Sequence, residues 1–402
     1  MTLAPVTTMQ KSRAWRGPAV LSYGFRPFFL LAGAEAALMI GLWVAWYEGA
    51  IFLPSAFSPI AWHVHELAFG YVWAVVAGFL LTAVPNWTGR LPVVGLPLLT
   101  LVALWLLGRV AVATSVYLDP ISVAAASLAF PVALVAAIAR EIVAGRNLRN
   151  LKVLVVAGVL LAAQVLFHVE AAGGYDVVYA SRLAVAAILV LIMLIGGRIV
   201  PSFTTNWLKR ENPGRLPVPF NRFDGACVLV SALALALWVA LPALDGGGSW
   251  IAPVLGVAGV MQIVRLARWA GDRTFREPLV TVLHAAYAFI PLGFLLAAWA
   301  AYADEANAAA THAWTVGAVG LMTLAVMTRA TRGHTGLPLT APAGTVAIYV
   351  LVGGSALARI AAAFLPGHIM TLLAVAGAAW TAAFLLFVLL YAPLLLLPRR
   401  TA

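Results

Sequence analysis

The feature that most limits this chain is a succession of twelve apolar runs. Each is about long enough to cross a bilayer, at about 1.5 Å per residue over about 30 Å of hydrocarbon. The runs are 28–46, 60–84, 93–116, 121–139, 151–171 and 183–200, then 223–241, 251–269, 279–301, 308–328, 345–365 and 369–397. No run alternates with the period of two of a barrel strand, so helices are the remaining way to satisfy the backbone in lipid. Composition agrees: 63% of the 402 residues are hydrophobic and 10% charged, against about 45–50% and about 25% in soluble domains. The expectation is an all-α polytopic membrane protein with about 12 transmembrane helices. Residues 1–27 form an N-terminal segment, 28–397 one membrane domain and 398–402 a short tail. Met1 to Gly24 is polar and basic, without an apolar core or small-residue cleavage site, and does not read as a cleavable signal.

The charges test the count of spans. Lys11, Arg13, Arg16 and Arg26 precede the first run, and Arg90 follows the second. Arg140, Arg146, Arg149 and Lys152 follow the fourth; Arg198, Lys209, Arg210, Arg215 and Arg222 the sixth; Arg265, Arg268, Arg273 and Arg276 the eighth. Arg329 and Arg332 follow the tenth, and Arg399 and Arg400 the last. Twenty-two of the 25 basic residues thus share one side. The opposite loops carry Glu48, Asp119, Glu170, Asp176, Asp245, Asp304 and Glu305. A miscounted helix would scramble this separation. The positive-inside rule puts both termini in the cytoplasm, and the net charge of +11 then belongs to membrane topology, not to nucleic acid. Arg109, Arg182 and Arg359 break the pattern, each in or beside the outer half of a span. Either they snorkel to the outer interface or they pair with a buried anion, of which haem propionates would be an example.

Ionisable groups at membrane depth usually serve a function. Trp62-His63-Val64-His65-Glu66 opens the second span, and His168, His312 and His368 lie at the same outer level. His284 sits about two turns into the ninth span from the other side, and His334 lies in the loop after the tenth. His63 and His65 would point about 200° apart on a regular helix. Either the helix start is irregular, or the pair serves two centres on opposite faces. Glu66 could orient an imidazole or carry protons. His65 stands 23 residues before Thr88-Gly89, and His312 stands 23 residues before Thr335-Gly336, a faint parallel repeat. His284, Tyr287 and Pro291 share one helix face. A tyrosine beside a ligand histidine suits redox or proton chemistry; core packing is the plainer explanation. His168 and His368 read as single interfacial histidines. Cys227 is the only cysteine, which excludes intrachain disulfides and sites built on several thiolates from this chain. Imidazole suits iron, copper, nickel and zinc, so histidine-ligated haem, copper or both is the reasonable class.

Several long segments carry a resemblance. They are Gly24-Phe25-Arg26-Pro27-Phe28-Phe29, Trp62-His63-Val64-His65-Glu66, the run from Ala77 to Gly89, Gly196-Gly197-Arg198-Ile199-Val200-Pro201, and the run from His312 to Gly336. Together they resemble the NnrS family over nearly the whole chain. That resemblance implies a twelve-span bacterial inner-membrane protein containing haem and copper, linked to nitric oxide, denitrification and nitrosative stress. It marks His63, His65, His284, His312 and His334 as family-motif positions and candidate metal ligands. His65 and His312 are the expected haem ligands, with a b-type haem. Arg109, Arg182 and Arg359 are expected at the propionates, and Glu66 and Tyr287 in proton or redox chemistry. The expected ligand is nitric oxide; no electron donor is named. Nitric oxide is small and apolar and can enter from lipid, and turnover would make the protein a haem-dependent oxidoreductase. Two rivals stand beside this reading: a proton-coupled transporter using the buried histidines and Glu66, and a non-catalytic haem-based nitric oxide sensor or assembly factor.

Overall fold

The structure, a computed structural model, describes residues 15–90, 92–240, 242, 248–303 and 307–398. Lys11, Arg13, Asp245, Asp304, Glu305, Arg399 and Arg400 of the charge pattern lie outside the described residues, as do residues 1–14 of the N-terminal segment and 399–402 of the tail. Among the described residues there is no strand, and twelve helices are long and apolar enough to cross a membrane. They are α1 (Phe25–Tyr47), α2 (Pro59–Thr88), α3 (Leu96–Ala113), α4 (Pro120–Ala144), α5 (Leu151–Ala172), α6 (Val178–Glu211), α7 (Arg222–Ala240), α8 (Ser249–Arg273), α9 (Pro278–Ala303), α10 (Ala308–Thr335), α11 (Ala343–Ala362) and α12 (Pro366–Leu396). The protein is a multi-pass membrane protein, and the twelve expected runs fall on these helices in order.

The largest departure from the expected edges is α6. It continues eleven residues beyond Val200, through Pro201 and a polar stretch that ends on Lys209 and Arg210. Basic side chains in a last turn complement the helix dipole, which favours such an extension. At 34 residues the helix is about 51 Å long, so a good part of it stands clear of the hydrocarbon.

The chain divides into two compact units: Met1–Ser181 with Ala330–Leu337 and Phe384–Ala402, and Arg182–Arg329 with Pro338–Ala383. In lipid, apolar side chains gain little by leaving one greasy neighbour for another, so close packing and buried hydrogen bonds carry helix association. In the first unit Arg26 is buried and donates to the carbonyls of Leu394, Leu395 and Leu397. Carbonyls at a helix end lack intrahelical partners; here the start of α1 supplies the donor. In the second unit Ser355 of α11 donates to the Ala376 carbonyl of α12 at 2.8 Å, and Thr328 of α10 pairs with Tyr349 of α11 at 2.6 Å.

Two helices are irregular in the same way. In α2, an α-helical start at Pro59–His65 passes into a π-helical segment at Glu66–Tyr71 and returns to α-helix at Val72–Thr88. In α10, an α-helical start at Asn307–His312 passes into a π-helical segment at Ala313–Gly320 and then α-helix at Leu321–Thr335. Each wide segment begins directly after a histidine, His65 in one helix and His312 in the other. Each helix ends before a glycine of positive φ, Gly89 at 69° and Gly336 at 83°. The repeat seen in the spacing of residues thus extends to the backbone. Wide turns of this kind are rare and frequently sit at functional sites.

Candidate functional site

His63 and His65 lie on the regular α-helical start of α2, and their rings diverge. His63 stacks on Trp43 of α1 with ring centroids 4.2 Å apart. His65, fully buried, turns toward α4 and α5. Of the two alternatives left by the sequence, opposite faces is the one the helix adopts.

Around His65 the partners are specific. Its Nδ1 lies 3.0 Å from Glu66 Oε1. Arg109 of α3 donates through Nη1 to Glu66 Oε2 at 2.7 Å and stands 3.9 Å from Glu35 Oε1 of α1. Gly70 makes room for this: a Cβ there would meet both Arg109 Nη1 and Glu35 Oε1. The Gly70 carbonyl, inside the wide turn, accepts from Trp105 Nε1 of α3 at 3.0 Å. Arg109 thus pairs with a buried anion, and within its unit that anion is Glu66.

The other nitrogen of His65 meets a hub that the sequence explains. Pro131 has no N–H to offer the carbonyl four residues earlier, which belongs to Ser127. Gln164 of α5 fills the gap, donating from Nε2 to Ser127 O at 3.2 Å and to Ser127 Oγ at 2.8 Å. Gln164 Oε1 in turn accepts from Trp73 Nε1 of α2 at 2.9 Å. Ser127 Oγ also lies 3.1 Å from His65 Nε2 and 3.2 Å from His168 Nε2. Phe57, Phe69 and Phe167 pack around the two imidazoles. His168, read from the sequence as a single interfacial histidine, joins this cluster. The signal lay in Pro131, whose missing N–H exposes a carbonyl, together with the spacing of Gln164 and His168 on one face of α5.

In the second unit His312 is held at both nitrogens. Its Nδ1–H donates to the Ala308 carbonyl at 2.7 Å, which leaves the lone pair on Nε2. Arg359 of α11 donates to that nitrogen from Nη2 at 2.8 Å. Arg182 instead donates to the Trp238 carbonyl at 2.8 Å and lies over the Trp238 ring.

The remaining candidates occupy other surroundings. Thr204 of α6 donates to the Val200 carbonyl, so its hydroxyl accepts from His284 Nε2 at 2.8 Å. The Tyr287 hydroxyl faces Arg265 and Gln262: it accepts from Arg265 Nη1 and donates to Gln262 Oε1, both at 2.8 Å. Arg265, 1% exposed, also donates to Asp224 Oδ1 at 3.2 Å, and Gln262 donates to Ser231 Oγ at 2.8 Å. His334, expected in the loop after the tenth span, lies in the last turn of α10 and stacks on Phe25 at 5.2 Å. His368 is exposed in a short turn before the main body of α12. A cavity of about 440 Å³ in the second unit is lined by Arg198, Ser202, Asn206, Lys209 and Asp224 among others, and none of its lining residues is a histidine.

Among the described residues no three His, Cys, Asp or Glu side chains converge as a metal set. What the chain offers a metal is individual imidazoles in fixed tautomers. At His65 a carboxylate accepts from Nδ1–H, and at His312 a backbone carbonyl does. This is how metal-bound imidazoles are commonly held, with the hydrogen bond at one nitrogen fixing the lone pair at the other. The donor chemistry therefore fits His312 as an imidazole that would hold a metal ion or haem iron. Arg359, already at its Nε2, is a suitable partner for an acidic group on a cofactor.

Twelve helices long and apolar enough to span, with His65, His168 and His284 buried among them, define a polytopic helical membrane protein. The chain belongs to the NnrS family: the family model described as NnrS protein matches residues 19–399. No curated protein matches the chain.

Proposed function

We propose that this protein is a haem- and copper-containing protein of the bacterial inner membrane that binds or turns over nitric oxide. Family membership and the twelve-helix architecture fit a membrane protein with a nitric oxide-related role. One observation carries the metal part of the reading. His65 and His312 each end an α-helical turn before a π-helical segment, each with Nδ1 clamped and Nε2 left as the lone-pair nitrogen. His312 is the residue that would hold iron, with Arg359 beside it. Bound haem would supply an iron that ligates nitric oxide. The chain's own residues fix the imidazole and place a cation next to it. In this reading the basic loops and both termini face the cytoplasm.

The test is an absorbance spectrum and metal analysis of the purified protein, with and without His312→Ala. A Soret band that is lost in the variant, while the variant keeps its helical circular dichroism, supports the assignment. A fully folded wild-type protein expressed with adequate haem supply and lacking any Soret band removes the haem. Nitric oxide consumption beyond one equivalent per haem with a reductant present marks an enzyme; consumption that stops at one equivalent marks a sensor.

A further inference from the structure

We propose that the cavity beside the C-terminal half of α6 binds the headgroup of an anionic glycerophospholipid. The chemistry recognised is a phosphate ester carrying glycerol hydroxyls, and the surrounding membrane is its source. The proposal stands apart from the metal reading and uses none of the histidines.

The site grows out of a segment that the metal reading leaves unused, Gly196-Gly197-Arg198-Ile199-Val200-Pro201. A Cβ at Gly197 would collide with Arg265 Nη2, so the glycine lets that buried guanidinium lie against α6. Arg198 begins a stripe at i, i+4, i+7 and i+11 with Ser202, Thr205 and Lys209, which share one face of the helix. That face forms one wall of the cavity of about 440 Å³, and residues 216–220 form another. The second wall is a fastened strap. Val218 N–H donates to the Arg268 carbonyl at 2.9 Å, and Arg273 donates to the carbonyls of Asn212 and Pro213, both at 3.0 Å. The cavity is thus pre-formed, and its size falls within the range of small-molecule sites, about 300–1,000 Å³.

Charge selects an anion. Arg198 and Lys209 bring positive charge to the lining, and Asp224 is its one carboxylate. That carboxylate is already engaged from α8. Arg265 Nε donates to Oδ1 at 3.2 Å, and Arg268 Nη1 stands 3.4 Å from Oδ2, which also accepts from the Asn221 N–H at 3.0 Å. Two guanidiniums on one carboxylate leave the surroundings positive in excess. Arginine and lysine both bind phosphate oxygens well. A zwitterionic headgroup would bring its ammonium to the same cations. Between Arg198 and Lys209 the wall offers Ser202, Thr205 and Asn206, neutral groups suited to glycerol hydroxyls.

Depth selects a lipid over a dissolved phosphate ester. Arg198 stands at the end of the apolar run 183–200, where hydrocarbon gives way to headgroups. Lys209 lies about 16 Å further along the helix axis. The cavity therefore runs outward from the edge of the hydrocarbon. Its strap also presents apolar surface: Val218 and Phe220 are 42% and 62% exposed, and acyl chains would cover them. Basic pockets at this level between spanning helices are suited to acidic headgroups.

The experiment is native mass spectrometry and thermal melting of the purified, delipidated full-length protein in nonionic detergent. It is titrated with phosphatidylglycerol, with phosphatidylethanolamine of the same acyl chains, and with glycerol phosphate. Wild type is expected to retain a single phosphatidylglycerol and to melt higher with it, and to bind phosphatidylethanolamine about tenfold more weakly. Arg198→Ala combined with Lys209→Ala is expected to lose about tenfold or more in phosphatidylglycerol affinity. Arg149→Ala combined with Arg276→Ala removes the same charge from exposed positions outside the cavity and is expected to bind as wild type does. Ser202→Trp fills the cavity and keeps both cations; its expected loss of phosphatidylglycerol tests the site even if the paired variant folds poorly. Equal retention of the two lipids by wild type, unchanged affinity in folded Ser202→Trp, or an equal loss in the Arg149 and Arg276 pair would overturn the proposal. Glycerol phosphate bound as tightly as the lipid would overturn the membrane as the source. The Soret band is recorded on the same samples: lipid retained without haem removes the haem reading alone, and haem retained without lipid removes this site alone.

Discussion

Arg109 Nη1 donates to Glu66 Oε2 at 2.7 Å, and the two side chains are 10% and 2% exposed. A buried ion pair adds little over a well-packed apolar pair, but losing one partner strands a charge and costs about 3–5 kcal/mol. Arg109→Ala is therefore expected to destabilise the protein by about that amount, and Arg109→Ala with Glu66→Gln by clearly less. Thermal or denaturant unfolding of the four proteins of this cycle in detergent checks it; a double-variant loss equal to the sum of the two single losses would show that the pair is not coupled.

The Ser127 hub gives a second cycle. Gln164→Ala leaves Trp73 Nε1 and the Ser127 carbonyl without their partners, at about 1–3 kcal/mol for each buried group. Pro131→Ala returns an N–H to residue 131, which can serve the Ser127 carbonyl. The double variant is thus expected to be more stable than the sum of the two single changes implies. Unfolding free energies that simply add would argue against Pro131 as the origin of the Gln164 contact.

Arg359 places a guanidinium at His312 Nε2. If His312 holds iron, Arg359→Leu is expected to keep the Soret band and shift the haem midpoint potential negative, because a nearby cation favours the reduced iron. Potentiometric titration reads this directly, and an unchanged potential would place Arg359 away from the cofactor.

Tyr287 tests the redox expectation for α9. Its hydroxyl joins Arg265 to Gln262, and Tyr287→Phe unpairs both. The expected result is about 1–3 kcal/mol of lost stability with the haem spectrum and nitric oxide consumption retained. A large loss of consumption at unchanged stability would return Tyr287 to the chemistry.

Asp119 caps the start of α4, outside the span. The Ser122 hydroxyl, then the Ser122 backbone N–H, hold its carboxyl below the usual range. A lowered folded-state pKa means that its stabilisation is full above the unfolded value of about 3.9 and fades as pH falls through the folded one. The melting-temperature difference between wild type and Asp119→Ala is expected at pH 7 and should shrink below about pH 4.

Spans and charge separation were readable because length and hydropathy alone decide whether a segment can cross lipid. The spacing of His63 and His65 left an irregular helix start or opposite faces open, and the regular start at Pro59–His65 decides between them. The contacts did not follow. Nothing in Arg109 announces Glu66 as its anion, because α2 and α3 must pack before the two can be compared. His168 looked like an isolated interfacial residue until α4 and α5 brought Ser127 and Gln164 beside it. Tyr287 shares a face with His284 by count, yet its hydroxyl is taken by α8, a partner no count along α9 can reveal.

The wide turns after His65 and His312 set the aim of what precedes them. One residue of α-helix is about 100° of rotation. If Glu66–Tyr71 wound as ordinary helix with all its residues kept, the tighter turn would add up over the segment and swing His63 and His65 around the axis by roughly that angle. The imidazole would leave Ser127 and His168 and face another neighbour, with every side chain in the protein still present. For these two helices, winding at one spot is direction at the next.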